Sequence, residues 1–208
     1  MTLKYIEENY KPGEPIFVVD LLDQFKDKYK LSKDLKKLVD DNKLVKYENG
    51  IYYIPKNSIL KNNTINPEVI AKYKYVSNSN ECYGYYSGLF LANRLGITTQ
   101  VPEVIDIVSN NTNSSSRIVK YNDRKFYVKP SKVEIDSTNV YVLQLLDLLK
   151  DIDKYSEYSN EYLRDKIMKY IFLYNINIKD IDMYIGYFPI MVYKNIYELR
   201  LYDVFTQQ

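Results

Sequence analysis

The 208-residue sequence predicts an α+β fold, because helical and strand patterns occupy separate stretches of the chain. Residues 31–39 place apolar side chains at helical spacing, and an apolar hairpin pattern with Asn49-Gly50 at its turn follows directly. Residues 104–108 form a β-branched run, and residues 140–202 contain several segments of helical periodicity. We therefore expect a small N-terminal domain followed by a mixed α+β domain that ends in a helical bundle.

The composition excludes several classes of function. The chain has no histidine and one cysteine, Cys82, so an internal disulfide, a Cys/His zinc site, a Ser-His-Asp triad and a Cys-His dyad are excluded. We expect no enzymatic activity, no metal and no cofactor. No apolar run approaches the about 18 residues of a membrane span, and the first residues lack an apolar signal segment. A cytoplasmic protein without membrane contact is the expectation.

Three helices are predicted before the hairpin. The first covers residues 3–10 and the second covers residues 16–25. Asp27 is the expected N-cap of the third helix, which runs from residue 28 to about residue 41. The net charge of +2 is too small to indicate a polyanionic partner, so a nucleic-acid site would depend on local lysine placement.

The third helix and the hairpin together predict a winged helix-turn-helix. Leu31, Leu35 and Leu38 fall on one helical face, whereas Lys33 and Lys36 project away from it. A basic helix followed by a two-stranded wing is typical of this DNA-binding fold. The predicted organisation is a winged helix-turn-helix domain at 1–56, a linker at 57–66 and an α+β domain at 67–208.

The candidate DNA-binding residues lie on the third helix and on the wing. They are Lys28, Tyr29, Ser32, Lys33, Lys36, Lys37, Lys46 and Asn49. The lysines are expected to contact phosphates, and Ser32 or Tyr29 to lie nearer base edges. No arginine precedes Arg94, so weak or A·T-oriented discrimination is expected unless Asn49 contributes. An ordinary solvated lysine face is the alternative interpretation, and it stays open.

The second domain is predicted to contain a second hairpin. Residues 83–95 have a helical pattern, residues 104–108 a strand pattern, and residues 117–121 pair with residues 124–129 across Asn122-Asp123. Further helices are predicted at residues 68–73, 140–150, 160–174, 178–184 and 193–202.

The second hairpin is the most basic local segment. Its cationic residues are Arg117, Lys120, Arg124, Lys125 and Lys129. One interpretation is a contact with RNA, DNA or a toxin protein. The other is a charged edge that discourages aggregation between strands, and both interpretations remain open.

The order of several segments resembles a known family. GIYYIPK (50–56) is followed by YYSGLFLANRLGITTQVP (85–102), EVIDIVS (103–109), Ser115-Ser116-Arg117 at the start of a hairpin, and VLQLLDLL (142–149). Over about residues 12–201, this order resembles the AbiEi-type antitoxins of type IV toxin–antitoxin systems, which act in abortive infection and phage defence.

The resemblance implies a transcriptional regulator that binds double-stranded DNA at its own operator. It also implies an antitoxin domain that counteracts a nucleotidyltransferase-like toxin, with or without direct contact. It implies no catalytic residues. The alternative function is a protein-interaction module in which the winged helix is only a scaffold and binds no DNA.

Overall fold

The computed structural model describes residues 1–56 and 64–206, and these residues form a mixed α+β fold. They divide into two compact units, Met1–Tyr73 and Lys74–Gln208. Most of the linker predicted at residues 57–66 lies outside the described residues, because the description omits residues 57–63. The predicted domain boundaries stay a prediction.

The first unit combines short helices with an antiparallel three-stranded sheet. Its elements are α1 (Thr2–Asn9), β1 (Ile16–Phe17), α2 (Val18–Gln24), α3 (Lys28–Asp40), β2 (Val45–Glu48) and β3 (Ile51–Tyr53). The strand order is β1-β3-β2. Buried aliphatic side chains from the three helices, from β1 and from the segment before β2 form one core: Ile6, Ile16, Leu21, Leu31, Leu35, Leu38 and Leu44.

The prediction of one helix over residues 16–25 is wrong at its start. Ile16 and Phe17 form β1 and pair with Tyr52 and Ile51 of β3, so α2 begins only at Val18. A β-branched and an aromatic side chain suit a buried strand, and the distant backbone of β3 supplies the hydrogen-bond partners. The prediction of α3 is confirmed within one residue at its end, and its predicted N-cap is also observed.

The second unit contains a four-stranded mixed sheet. After α4 (Pro67–Tyr75), which contains the boundary between the units, come β4 (Gly84–Ser87), α5 (Gly88–Arg94), β5 (Val104–Ser109), β6 (Arg117–Tyr121) and β7 (Arg124–Pro130). The strand order is β4-β5-β7-β6. The β5–β7 pair is parallel, and the other two pairs are antiparallel. The predicted strand at 104–108 and the predicted second hairpin are confirmed.

The helix predicted over residues 83–95 is wrong in its first half, where the chain forms β4. Gly84 pairs with Ser109 of β5, and a Cβ at Gly84 would lie 2.0 Å from the backbone oxygen of Tyr75. This close approach of two backbone segments requires glycine. Helix α5 therefore covers only Gly88–Arg94.

The rest of the second unit is helical. It contains α6 (Val140–Tyr155), α7 (Asn160–Leu173), α8 (Ile178–Tyr184), a 3₁₀ turn (Ile185–Tyr187), α9 (Met191–Glu198) and α10 (Tyr202–Thr206). The helix predicted at 193–202 is confirmed over residues 193–198, which lie in α9, but it is wrong at its end, because Arg200 adopts a φ of +50° between α9 and α10. Within the described residues, no helix is long and apolar enough to span a membrane.

Candidate nucleic-acid interface

Helix α3 has one buried face and one exposed face. Leu31, Leu35 and Leu38 are its buried residues. At 3.6 residues per turn, Tyr29, Lys33 and Lys36 lie on the opposite side of the helix. All six candidate residues on α3 are exposed: Lys28, Tyr29, Ser32, Lys33, Lys36 and Lys37. Ser32 and Lys37 flank this exposed face on its two sides.

The ammonium groups on α3 lack carboxylate partners in the part of the chain that the structure describes. Among residues 1–56 and 64–206, no salt bridge involves Lys28, Lys33, Lys36 or Lys37. Lys33 Nζ lies 4.6 Å from the centroid of the Tyr29 ring, and Tyr29 is 73% exposed. This cation–π contact orders two large side chains on the surface while leaving the positive charge accessible.

The first turn of α3 is positively charged and well capped. The Asp27 carboxylate accepts hydrogen bonds from the backbone N–H groups of Tyr29 (3.0 Å) and Lys30 (2.9 Å). The turn itself contains Lys28 and Lys30 and no acidic residue. Lys30 is exposed but was not among the predicted residues, because it lies just beside the face selected from the leucine spacing.

The two candidate residues of the β2–β3 hairpin are also exposed. Lys46 lies on β2, and Asn49 lies at the turn between the paired residues Glu48 and Ile51. Gly50 alone of the two turn residues has a positive φ, at +83°. Its carbonyl accepts a 2.9 Å hydrogen bond from the backbone N–H of Val18, so the hairpin tip is attached to the start of α2.

The five cationic residues of the second hairpin do not share one surface. Adjacent residues of a strand project to opposite faces, and directly paired residues share a face. Lys120 pairs with Lys125, and Tyr121 pairs with Arg124. One face therefore carries Lys120, Lys125 and Lys129, and the other carries Arg117 and Arg124.

The three lysines of this hairpin each have an acidic partner. Lys120 Nζ lies 3.6 Å from Asp123 Oδ1, Lys125 Nζ lies 2.6 Å from Glu103 Oε1, and Lys129 Nζ lies 3.1 Å from Asp106 Oδ1. The hydrogen bond and charge of Lys125 lower the pKa of the Glu103 carboxyl. The net positive charge available to a polyanion is therefore smaller than the sequence suggested.

A buried polar cluster on α6 was not predicted from the sequence. Asp147 is only 8% exposed, and its two carboxylate oxygens accept hydrogen bonds from the Ser87 hydroxyl and, at 2.6 Å, from Lys150 Nζ. The sequence feature that could have indicated this cluster is the carboxylate of Asp147 inside the apolar run VLQLLDLL. Burial of an unpaired charge there would destabilise the fold, so a partner is required. In the part of the chain that the structure describes, no three Asp, Glu or Cys side chains form a potential metal site.

These observations describe a two-unit α+β protein with an exposed lysine face on one helix. The model of the DUF6088 family, described as a family of unknown function, matches residues 3–171. The chain belongs to this family. The match includes α3 and both sheets and ends within α7. No curated protein matches the chain.

Proposed function

We propose that this protein is a DNA-binding transcriptional regulator whose first unit is a winged helix-turn-helix. The observation that carries the proposal is the exposed face of Tyr29, Lys33 and Lys36, immediately followed by the β2–β3 hairpin. The element order α1-β1-α2-α3-β2-β3 supports this proposal, as do residues 25–27, which form a short connection between α2 and α3. In this arrangement α3 is the recognition helix and β2–β3 is the wing.

The side chains of α3 suit phosphate contacts better than direct base recognition. Lys28, Lys33, Lys36 and Lys37 are exposed and form no salt bridge with any residue that the structure describes, and each phosphate contact contributes affinity that falls with salt. The first unit has no arginine and therefore no bidentate guanine contact. Sequence discrimination then depends on Ser32, Tyr29 and Asn49, and on the shape of the duplex.

We further propose that the protein is an antitoxin-like autorepressor of a type IV toxin–antitoxin operon and acts in the cytoplasm. This proposal rests on the resemblance of segments 50–56, 85–109 and 142–149 to AbiEi-type antitoxins. Its functional partner is a nucleotidyltransferase-like toxin, which the second unit counteracts with or without direct contact. The exposed cations of the second hairpin, Arg117 and Lys120, are candidate contacts for that toxin or its RNA substrate.

A second candidate function is a protein-interaction module that binds no DNA. It is favoured by large apolar side chains on the surface of the second unit, where Leu173 is 73% exposed and Ile190 is 79% exposed. Exposed apolar side chains mark protein contacts where they form a contiguous patch. This function and the regulator differ in a single property, which is affinity for duplex DNA.

Fluorescence anisotropy with a labelled duplex from the region upstream of the gene tests the regulator proposal. At about 50 mM salt, the full chain is expected to bind this duplex more tightly than a shuffled duplex of the same composition. The logarithm of the association constant is expected to fall linearly with the logarithm of salt concentration. Absence of binding to both duplexes by folded protein would exclude the regulator and favour the interaction module.

Co-expression with the neighbouring gene tests the antitoxin proposal separately. If that gene encodes a nucleotidyltransferase-like toxin, its expression alone is expected to arrest growth, and co-expression of the full chain is expected to restore it. An Arg117→Ala, Lys120→Ala variant tests whether the second hairpin takes part. Growth arrest that the unmodified chain does not relieve would contradict the antitoxin assignment.

A further inference from the structure

The second unit contains a cavity of about 200 Å³ between its sheet and α6. Apolar walls come from Val108 of β5, Leu143 of α6 and Val133 of the segment after β7, and Tyr187 and Phe188 also line the cavity. An apolar cavity of about 150 Å³ can hold one benzene molecule. The cavity is therefore large enough for a benzene ring with one small substituent.

The polar lining of the cavity is mainly cationic. Lys129, Lys132 and Lys150 line it, whereas Asp147 is its only acidic lining residue among the described residues. Both Asp147 oxygens already accept hydrogen bonds, from Ser87 and Lys150. A ligand carboxylate would therefore meet donors in this cavity rather than competing acceptors.

Two of these lysines retain hydrogen-bonding capacity for a ligand. An ammonium group has three donors. Among the described residues, Lys129 Nζ lies 3.1 Å from Asp106 Oδ1 and 5.4 Å from the centroid of the Tyr127 ring, and Lys132 donates a 3.3 Å hydrogen bond to the backbone oxygen of Tyr187. Lys150 has fewer donors left for a ligand, because its Nζ lies 2.6 Å from Asp147 Oδ1 and 3.5 Å from Asp151 Oδ2.

Besides the Asp147 carboxylate, two titratable side chains at the cavity are a neutral phenol, Tyr85, and a charged ammonium group, Lys150. Burial, followed by the negative charge of Asp147, raises the pKa of Tyr85 well above its ordinary value, so its phenol is neutral at physiological pH. Burial lowers the pKa of Lys150, but the charges and hydrogen bonds of Asp147 and Asp151 outweigh this effect and raise it overall. Lys150 therefore stays charged.

We propose that this cavity binds a small aromatic carboxylate. The ring lies among Val133, Leu143 and Phe188, and the carboxylate accepts hydrogen bonds from Lys129 and Lys132. The apolar walls select the ring, the spare ammonium donors select the negative charge, and the volume limits the ligand to about one substituted ring. This site is independent of the proposed DNA binding.

Binding of 4-fluorobenzoate to the full chain, followed by ¹⁹F NMR, tests the proposal directly. We expect a saturable change in the ¹⁹F signal that unlabelled benzoate reverses. The neutral isostere 4-fluorobenzamide is expected to bind at least about tenfold more weakly, because it lacks the charge that the lysines recognise. Inorganic phosphate, which lacks the ring, is also expected to bind more weakly than benzoate.

Two sets of variants locate the binding site. Lys129→Gln with Lys132→Gln is expected to weaken 4-fluorobenzoate binding by about tenfold or more. Lys169→Gln with Lys179→Gln, on exposed positions of α7 and α8, removes the same charge and is expected to leave binding unchanged. Val133→Phe is expected to abolish binding by filling the cavity, with its fold checked by circular dichroism.

Several outcomes would overturn the proposal. These are no saturable binding of 4-fluorobenzoate to the folded chain, equal affinity for the amide or for phosphate, and equal weakening by the two lysine pairs. If Val133→Phe does not fold, the comparison between the lysine pairs still decides the site. If it folds and binds 4-fluorobenzoate with unchanged affinity, the ligand does not occupy this cavity.

Discussion

The Thr2 hydroxyl donates a 2.7 Å hydrogen bond to Asp34 Oδ2 and so joins α1 to the middle of α3. Thr2 is buried and Asp34 is half-buried. The contact uses the flank of α3 and leaves its exposed lysine face free. It therefore orients the proposed recognition helix without occupying any of the candidate DNA-binding residues.

Loss of this hydrogen bond should destabilise the first unit. Thr2→Val keeps the shape of the side chain but removes the donor to a charged acceptor, so we expect unfolding to require about 1–2 kcal/mol less free energy. Urea unfolding followed by circular dichroism measures the change. Thr99→Val, at an exposed position, is the matched control and should unfold like the unmodified chain. Equal stability of the two variants would contradict an energetic role for the contact.

Two lysines of α3 should account for part of the salt dependence of DNA binding. Lys33→Ala with Lys36→Ala is expected to lower duplex affinity and to reduce the slope of log affinity against log salt by about one for each lost phosphate contact. Lys169→Ala with Lys179→Ala removes equal charge from the second unit and should change the slope less. A slope unaltered by the α3 substitutions would remove these two lysines from the interface.

Glycine at position 84 should be essential for the second unit. The Cβ of an alanine there would lie 2.0 Å from the backbone oxygen of Tyr75 and 2.6 Å from that of Val108, so the backbone itself must move. We expect Gly84→Ala to cost about 3 kcal/mol or more in unfolding free energy. Gly186→Ala has no neighbour within 4 Å of its Cβ and should change stability by less than about 0.5 kcal/mol. Similar thermal unfolding of the two variants would contradict the predicted clash.

Alkaline pH should destabilise the protein partly through Tyr10. Burial, followed by the charge of Asp20, raises the pKa of Tyr10 from 10.0 to about 12. The unfolded chain releases this phenol proton first, so the contribution of Tyr10 to stability is complete below pH 10 and is lost as pH rises through about 12.

Urea unfolding of the unmodified chain and of Tyr10→Phe across this pH range measures the effect. Other buried tyrosines contribute to the decline in both proteins, so the difference between the two curves isolates Tyr10. The variant should lose less free energy of unfolding between pH 10 and about 12. Parallel curves would assign the decline to other tyrosines.

Local patterns were sufficient to predict α3 and the hairpin that follows it. The spacing of Leu31, Leu35 and Leu38 determines which face is buried, and Asn49-Gly50 marks the turn. The exposure of Tyr29 and Lys33 follows from the same spacing. These features depend on residues within a few positions of one another, which is why the sequence alone indicates them.

Features that depend on distant pairing could not be predicted in this way. The strand character of Ile16 depends on Tyr52, and that of Gly84 depends on Ser109. The sequence also overestimates the positive charge that the second hairpin offers to a partner, because its acidic partners include a residue from another strand segment. Glu103 reaches Lys125 because β5 pairs in parallel with β7, a relationship that no local pattern reveals.

The buried polar cluster on α6 also depends on residues that are distant in the sequence. Ser87 and Asp147 are separated by 60 positions and meet only when α6 packs on β4. Their hydrogen bond therefore requires the assembled second unit. A carboxylate within an apolar helix is a local signal that some partner exists, but the identity of that partner is a property of the tertiary structure.

The parallel pairing of β5 with β7 also has a consequence for protein synthesis. One edge of β5 pairs with β7, which ends only at Pro130. When Ser109 leaves the ribosome, that edge therefore has no hydrogen-bond partner. Translation of the roughly twenty intervening residues takes about one to four seconds at typical rates of 5–20 residues per second. During that interval one edge of the apolar strand β5 stays without its partner, so the sheet is completed only after the second hairpin has been synthesised.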